Sequence, residues 1–365
     1  MANGKISVQQ LAILVILVVI GDSILIAPSL VTVFAKEDAW ISGVIGVMIG
    51  VLIAGLLYAV SRMYPQSTLI EFNRTLLGRW LGGAVSSLII FYFLISTCGL
   101  LREVGDFITT QMMPETPIRA IHLLLILLLV WALRSGIVTI SLSAELLFPW
   151  FIVFLMALLL CLLPQVKMDR LQPMLGHGWL PVFHGSVYVI VFPYAEMIIF
   201  LMLFPLVDRK AHTGRDYFLA AAIGGLVLIS VIIVCILVLG SYITAHQVYP
   251  TYALAKKISI GRFFERVEAF LALIWIISTF FKTILYGYGF VRGFSQLFGV
   301  RDDRTLIMPA GFLFFGIAYA ITPNVVYYND LLKRMFPLWD FANALLLPLL
   351  LIAVHLIRKK RADPA

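Results

Sequence analysis

Apolar runs separated by short polar intervals fill almost all of this 365-residue chain. A helix needs about 20 such residues to cross the hydrocarbon core of a bilayer. The pattern predicts ten crossings: 9–34, 41–61, 84–104, 119–134, 142–163, 184–205, 217–239, 267–291, 306–321 and 337–357. The fourth and ninth are short, so nine or eleven crossings also fit. Two runs are interrupted at mid-length. Gly21-Asp22-Ser23 splits the run from Leu11 to Phe34, and Phe192-Pro193-Tyr194-Ala195-Glu196 splits the run from His184 to Pro205. Each interruption sets an acid at bilayer depth.

The breaks fall in crossings one and six, as expected if two five-helix halves repeat one arrangement. Paired broken helices in corresponding positions point to a binding site at the membrane midplane. The plainer alternative is that Gly and Pro are simply tolerated in membrane helices. The expected organisation is a single polytopic membrane domain over 1–365. It divides into repeat one at about 9–163, a connector at about 164–183, repeat two at about 184–357 and a basic tail at 358–365. The connector is rich in Pro and Gly (Pro164, Pro173, Gly176, Gly178), which suits a boundary between repeats.

Composition agrees: 62% of residues are hydrophobic, 13% are charged and mean hydropathy is +1.02. An all-α integral membrane protein follows. Lys5 ahead of an apolar run resembles a signal peptide, but no small-residue cleavage site follows, so a retained helix is expected. The net charge of +8 would raise nucleic acid as a partner for a soluble chain. Here the basic residues lie mostly in loops, where they meet lipid head groups, so the bilayer is the expected partner and nucleic acid is not. With both termini cytoplasmic, 15 Lys and Arg fall inside and 11 outside, with Lys282 within a crossing. That bias favours both termini inside. Cys98, Cys161 and Cys235 all sit in apolar segments and read as packing residues. Residues 69–81 read as an amphipathic helix on the membrane surface, and 240–266 as a short interfacial helix or a loop over the outer mouth, or equally as an amphipathic linker at the head groups.

Ionisable groups at membrane depth are expensive unless paired, and point to function. Asp22, Glu145, Glu196 and Lys282 qualify, with Glu103, Asp106 and Asp340 nearer to the ends of crossings. Lys282 reads as the only basic residue deep in a helix, and Asp22 or Glu196 is available as its partner. A permanent ion pair locking crossing eight to the breaks and a titrating or ligand-coupled group both fit. Glu145 lies about one turn into crossing five, at depth or at a solvated end. Broken helices leave backbone groups free for the two ends of a zwitterion, amides for a carboxylate and carbonyls for an ammonium. Gly21, Ser23 and Ala27, with Ala195, are the expected lining. No metal-type spacing, nucleotide-binding loop or nucleophile motif is present, so neither an enzyme nor a metal or other cofactor is expected.

The chain resembles the B subunits of bacterial spore germinant receptors, the spore germination permease family within the amino acid, polyamine and organocation superfamily. The resemblance rests on Ile20 to Ser29, Asp38 to Ser42, Leu77 to Gly82, Pro114 to Pro117, Arg134 to Gly136, Glu145 to Pro149, Tyr249 to Thr251 and Ile260 to Phe270. It implies a 5+5 inverted repeat like the bacterial leucine transporter, with helices 1 and 6 unwound around an amino acid. It extends the pocket to Gly21, Asp22, Ser23, Ile24 and Ala27 with Pro193, Tyr194, Ala195 and Glu196. Thr97, Gly99, Thr283 and Tyr286 complete the wall by the same analogy. The Lys282 ammonium then stands where sodium-coupled relatives hold a cation. The resemblance also implies A and C partner subunits, a small-molecule germinant and the spore inner membrane. Two functions remain open: a nutrient-sensing subunit, and a proton-coupled amino acid transporter. A blander third is an ion or water pathway with no ligand site of its own.

Overall fold

Local chemistry sets where the helices begin and end. Ser7 and Gln10 cap each other reciprocally and start α1 (Val8–Ile20), which stops at Gly21. α2 (Ser23–Ala35) follows after two residues, and Lys36–Asp38 turns the chain into α3 (Ala39–Met63). The computed structural model describes residues 4–257 and 268–362. Thr68 and Glu71 cap α4 (Leu69–Leu77), whose apolar face is buried. The surface helix expected over 69–81 ends sooner because Gly78 takes φ +84°, and Arg79, Trp80 and Leu81 open α5 (Arg79–Phe107) instead.

α6 (Ile118–Ser135) and α7 (Ile137–Leu162) meet at Gly136. α8 (Trp179–Tyr194) passes into a tighter 3₁₀ stretch, Ala195–Ile199, and then α9 (Phe200–Leu203). α10 (Thr213–Leu239), α11 (Ser241–His246) and α12 (Pro250–Lys256) lead to the 31-residue α13 (Glu268–Phe298). The chain ends with α14 (Arg304–Ala320), α15 (Val325–Arg334), α16 (Phe336–Phe341) and α17 (Leu347–Ala362). The interval 240–266 thus holds two short helices up to Lys256. Residues 258–266, including part of a motif quoted above, lie outside the described residues.

Among the described residues eight helices are long and apolar enough to cross a membrane, or nine if α14 and α15, bent by 97°, count as one crossing. The count of ten takes α1 with α2 as one broken crossing and α3 as the next. α1 alone, at 13 residues, is too short to span. The breaks differ in kind from an unwound stretch. The first is a two-residue turn with Gly21 at φ +24°, and the second is helix tightened to 3₁₀ geometry. Large apolar side chains such as Leu127, Trp131, Trp150 and Phe312 face outward, as a lipid solvent permits.

α1 packs against α10 and α7, and α3 against α8. α5 lies along α13, α6 along α14, and α8 meets α16. Glycines allow the closest of these approaches. A Cβ on Gly46 would lie 2.5 Å from Val189. The Tyr194 ring fills the space a Cβ would need at both Gly50 and Gly225, and its hydroxyl donates to the Ala221 carbonyl at 3.0 Å. At one end of the bundle the chain entering α1 is tied to the chain leaving α9, with Ile6 N–H donating to Leu206 O and Asp208 N–H to Ile6 O, both at 2.9 Å.

The Tyr194 wedge leaves no room for added volume. Gly50→Leu is expected to destabilise the protein by about 3 kcal/mol, read as a lower unfolding temperature in detergent, whereas Gly83→Leu, in open space on α5, is expected to leave it nearly unchanged.

Candidate functional site

The site is built where three elements converge on one side chain. Lys282 leaves the middle of α13 with no solvent exposure, and its ammonium pairs with the carboxylates of Asp22, at the start of α2, and Glu196, in the 3₁₀ stretch after α8. The lysine stem runs beside Gly21, where a Cβ would lie 2.8 Å from Cδ. Gly21 is therefore required twice, by its positive φ and by this contact. Two carboxylates face one ammonium, so the ionised trio keeps a net negative charge in a low-dielectric interior.

Three carbonyls at the breaks are already engaged by hydroxyls. Ser278 donates to Gly21 O at 3.3 Å, Thr251 to Ile24 O at 2.7 Å and Tyr286 to Glu196 O at 2.8 Å. These three are therefore not free for a ligand ammonium. In the folded chain α12 and α13 supply hydroxyls to them, as buried carbonyls require. The Tyr286 hydroxyl also lies 3.4 Å from that of Tyr92.

Other expected lining residues are placed as follows. Gly21, Asp22, Ser23, Ile24, Ala27, Pro193, Ala195 and Glu196 are all buried around the ion cluster or along its two helices. The Ser23 hydroxyl has no partner. Tyr194 turns away into the α3–α10 interface. Thr97 and Thr283 are buried, but their hydroxyls donate to the carbonyls of Phe93 and Thr279 in their own helices. Gly99 is covered by Tyr328, whose hydroxyl donates to Gly99 O at 3.1 Å. Glu145 stands apart from the cluster, in the third turn of α7, and accepts from the Gln10 side chain at 2.9 Å.

Sequence reading passed over a second buried cation. Arg102 is 5% exposed, pairs with Asp106 at 2.9 Å and donates to the Tyr319 and Thr322 carbonyls at 3.2 and 2.7 Å. Its spacing of four residues from Asp106 was the available signal. Thr251, Ser278 and Tyr328 carried none, since a hydroxyl on an apolar helix has no pattern to mark its partner. Tyr249 sits in the segment between α11 and α12. Burial first, then the nearby carboxyls of Glu103 and Asp106, push its hydroxyl pKa up and keep it neutral.

Residues 5–326 match the family model described as "Spore germination protein". The chain is 30% identical to spore germination protein KB of Bacillus subtilis (strain 168) over all of its own length and 98% of that protein. It is 25% identical to spore germination protein A2 of the same organism over 93% of each chain. Two solved structures share the fold. MhsT, described as in complex with L-phenylalanine, superposes with a TM-score of 0.64 at 13% identity, over 95% of this chain and 97% of that one. MHP1, a nucleobase-cation-symport-1 family transporter with bromovinylhydantoin bound, gives 0.63 at 14% identity, over 90% and 75%. The fold class is that of the bacterial leucine transporter.

Removing the ammonium leaves two carboxylates uncompensated in the interior, at a cost of about 3 to 5 kcal/mol. Lys282→Ala is expected to lower the unfolding temperature sharply and Lys282→Arg less. A triple variant, Asp22→Asn, Glu196→Gln and Lys282→Met, is expected to recover most of the loss. Thermal unfolding of the three proteins in one detergent checks the order.

Proposed function

The chain belongs to the family of spore germination proteins, and on that premise we propose that it is the nutrient-sensing membrane subunit of a spore germinant receptor. In this reading the ligand is a small molecule, with an amino acid favoured, and it binds between the two broken crossings without chemical conversion. The observation that carries it is the meeting of both breaks at one buried ion cluster, in a fold whose solved members are described with small molecules bound. Ligand-driven change in how the cluster is held would move α1–α2 and α8–α9 against α13, and A and C subunits would receive the motion. The spore inner membrane and two cytoplasmic termini belong to the same proposal.

The helix neighbours support two repeats, 9–163 and 184–357. Replacing each crossing by the one five later turns α3 against α8 into α10 against α1, α5 against α14 into α13 against α6, and α1 against α7 into α8 against α16. All of these pairs are in contact. The second reading, a proton-coupled amino acid transporter, is favoured by the same buried titratable trio.

A panel of amino acids, sugars and nucleosides added to the purified chain, alone and with its A and C partners, tests the site. A ligand at about 100 times its Kd is expected to stabilise the folded protein by about 2.7 kcal/mol. Ala195→Leu, which narrows the space beside Glu196, is expected to abolish that shift. Binding that survives Ala195→Leu would refute a pocket at the breaks. Counterflow uptake by the chain alone in proteoliposomes would overturn a purely sensory role and favour the transporter.

A further inference from the structure

Glu103, on α5, is 2% exposed, and among the described residues neither of its carboxylate oxygens has a hydrogen-bond partner. Few arrangements in a folded protein are as costly. A carboxyl buried without a hydrogen-bond partner gives up its hydration with no return. Its surroundings add to the imbalance. Asp22 and Asp106 lie within electrostatic reach, and the cations nearest to them are committed elsewhere: Lys282 to Asp22 and Glu196, Arg102 to Asp106 and two carbonyls. Tyr328 and Tyr249 lie within electrostatic reach of the same carboxyl, but their hydroxyls are held by Gly99 O and by Thr110.

One turn further along α5, Phe107 packs its ring against Trp275, with centroids 4.6 Å apart, and against Tyr249 and Tyr252. The Trp275 indole N–H and the Thr279 hydroxyl are also buried without partners, one turn apart on the face of α13 that carries Lys282. A bare carboxylate beside an aromatic cluster suits an organic ammonium, which gains both a charge-assisted hydrogen bond and ring contacts. Three of the carbonyls at the breaks, the other source of acceptors, are already occupied by hydroxyls.

We infer that Glu103 is the counter-charge for the ligand's ammonium group, so that the germinant of this protein is an amine or amino acid whose nitrogen is read by α5. This rests on the pocket proposed above and names the ligand class it takes. The arriving ammonium would give the Glu103 carboxyl the partner it lacks among the described residues.

The test uses the full-length chain in lipid nanodiscs. The probes are the standard L-amino acids and simple primary amines, each paired with the analogue that has a hydroxyl in place of the ammonium, lactate for alanine being one such pair. At least one amine is expected to bind the wild type. Its hydroxyl analogue on the wild type, and the amine itself on Glu103→Gln, are each expected to bind about ten- to hundredfold more weakly. The hydroxyl analogue on Glu103→Gln should lose little more, because both changes remove the same contact. The unliganded Glu103→Gln protein is expected to unfold at the same temperature as the wild type or higher, since no hydrogen bond of the carboxyl is lost. A lower temperature marks a structural role and overturns the assignment, as does equal affinity of Glu103→Gln for the amine, two independent losses, or no amine binding to the wild type. Stabilisation by sodium chloride over choline chloride, lost in Glu103→Gln without any amine response, overturns it in favour of an inorganic ion.

Failure of this assignment and failure of the pocket are separable. A sugar or nucleoside lost on Ala195→Leu keeps the pocket and removes the role of Glu103. An amine that depends on Glu103 but survives Ala195→Leu keeps the role of Glu103 and removes the pocket.

Discussion

Lys282 must satisfy two carboxylates that belong to two different broken helices, and much of the interior follows from that demand. An ammonium in a low-dielectric core is tolerable only when it is paired, and here each partner sits where a helix has just been interrupted. The interruption is what lets Asp22 and Glu196 approach from two sides. Gly21 is the residue that makes room, because any side chain there would collide with the lysine stem. The three helical elements are thus held by charge at one point.

The backbone around that point is arranged to match. Breaking a helix in a membrane exposes carbonyls that lipid cannot satisfy, and the fold answers with hydroxyls from neighbouring helices: Ser278 and Tyr286 on α13, Thr251 on α12. The same helix that brings the cation therefore also closes the breaks. Polar capacity for a ligand can then come from side chains, and Glu103, Ser23, Trp275 and Thr279 are among the buried groups that have no hydrogen-bond partner among the described residues.

Away from the site, stability comes from close approach and from ties at the ends. Tyr194, within the second break, is driven between Gly50 and Gly225, so the break is anchored to α3 and α10 on its far side. Gln10 bonded to Glu145 holds the start of α1 to α7, and the paired backbone at Ile6 and Val207 joins the entry of the first crossing to the exit of the sixth. The Tyr194 and Ile6–Val207 contacts join the two halves, and the Gln10–Glu145 bond ties crossing one to crossing five within the first, so motion at the breaks has definite partners to work against.

The amino-acid order by itself determined the membrane class, the positions of the apolar runs and the two interruptions with their acids. These are properties of one-dimensional pattern, since lipid solvation selects long apolar helices and Gly or Pro punctuates them. It also marked Lys282 as a residue in need of a carboxylate. Which side chains meet was decided only in three dimensions. Glu145, though acidic and within a crossing, went to Gln10; Tyr194, though inside a break, turned into a helix interface. Arg102 proved buried, and Glu103 was left without a donor. Helix periodicity says which residues share a face, but the rotation and depth of each helix come from packing against its neighbours. Those two variables decide whether a buried carboxylate finds a cation, a hydroxyl or nothing.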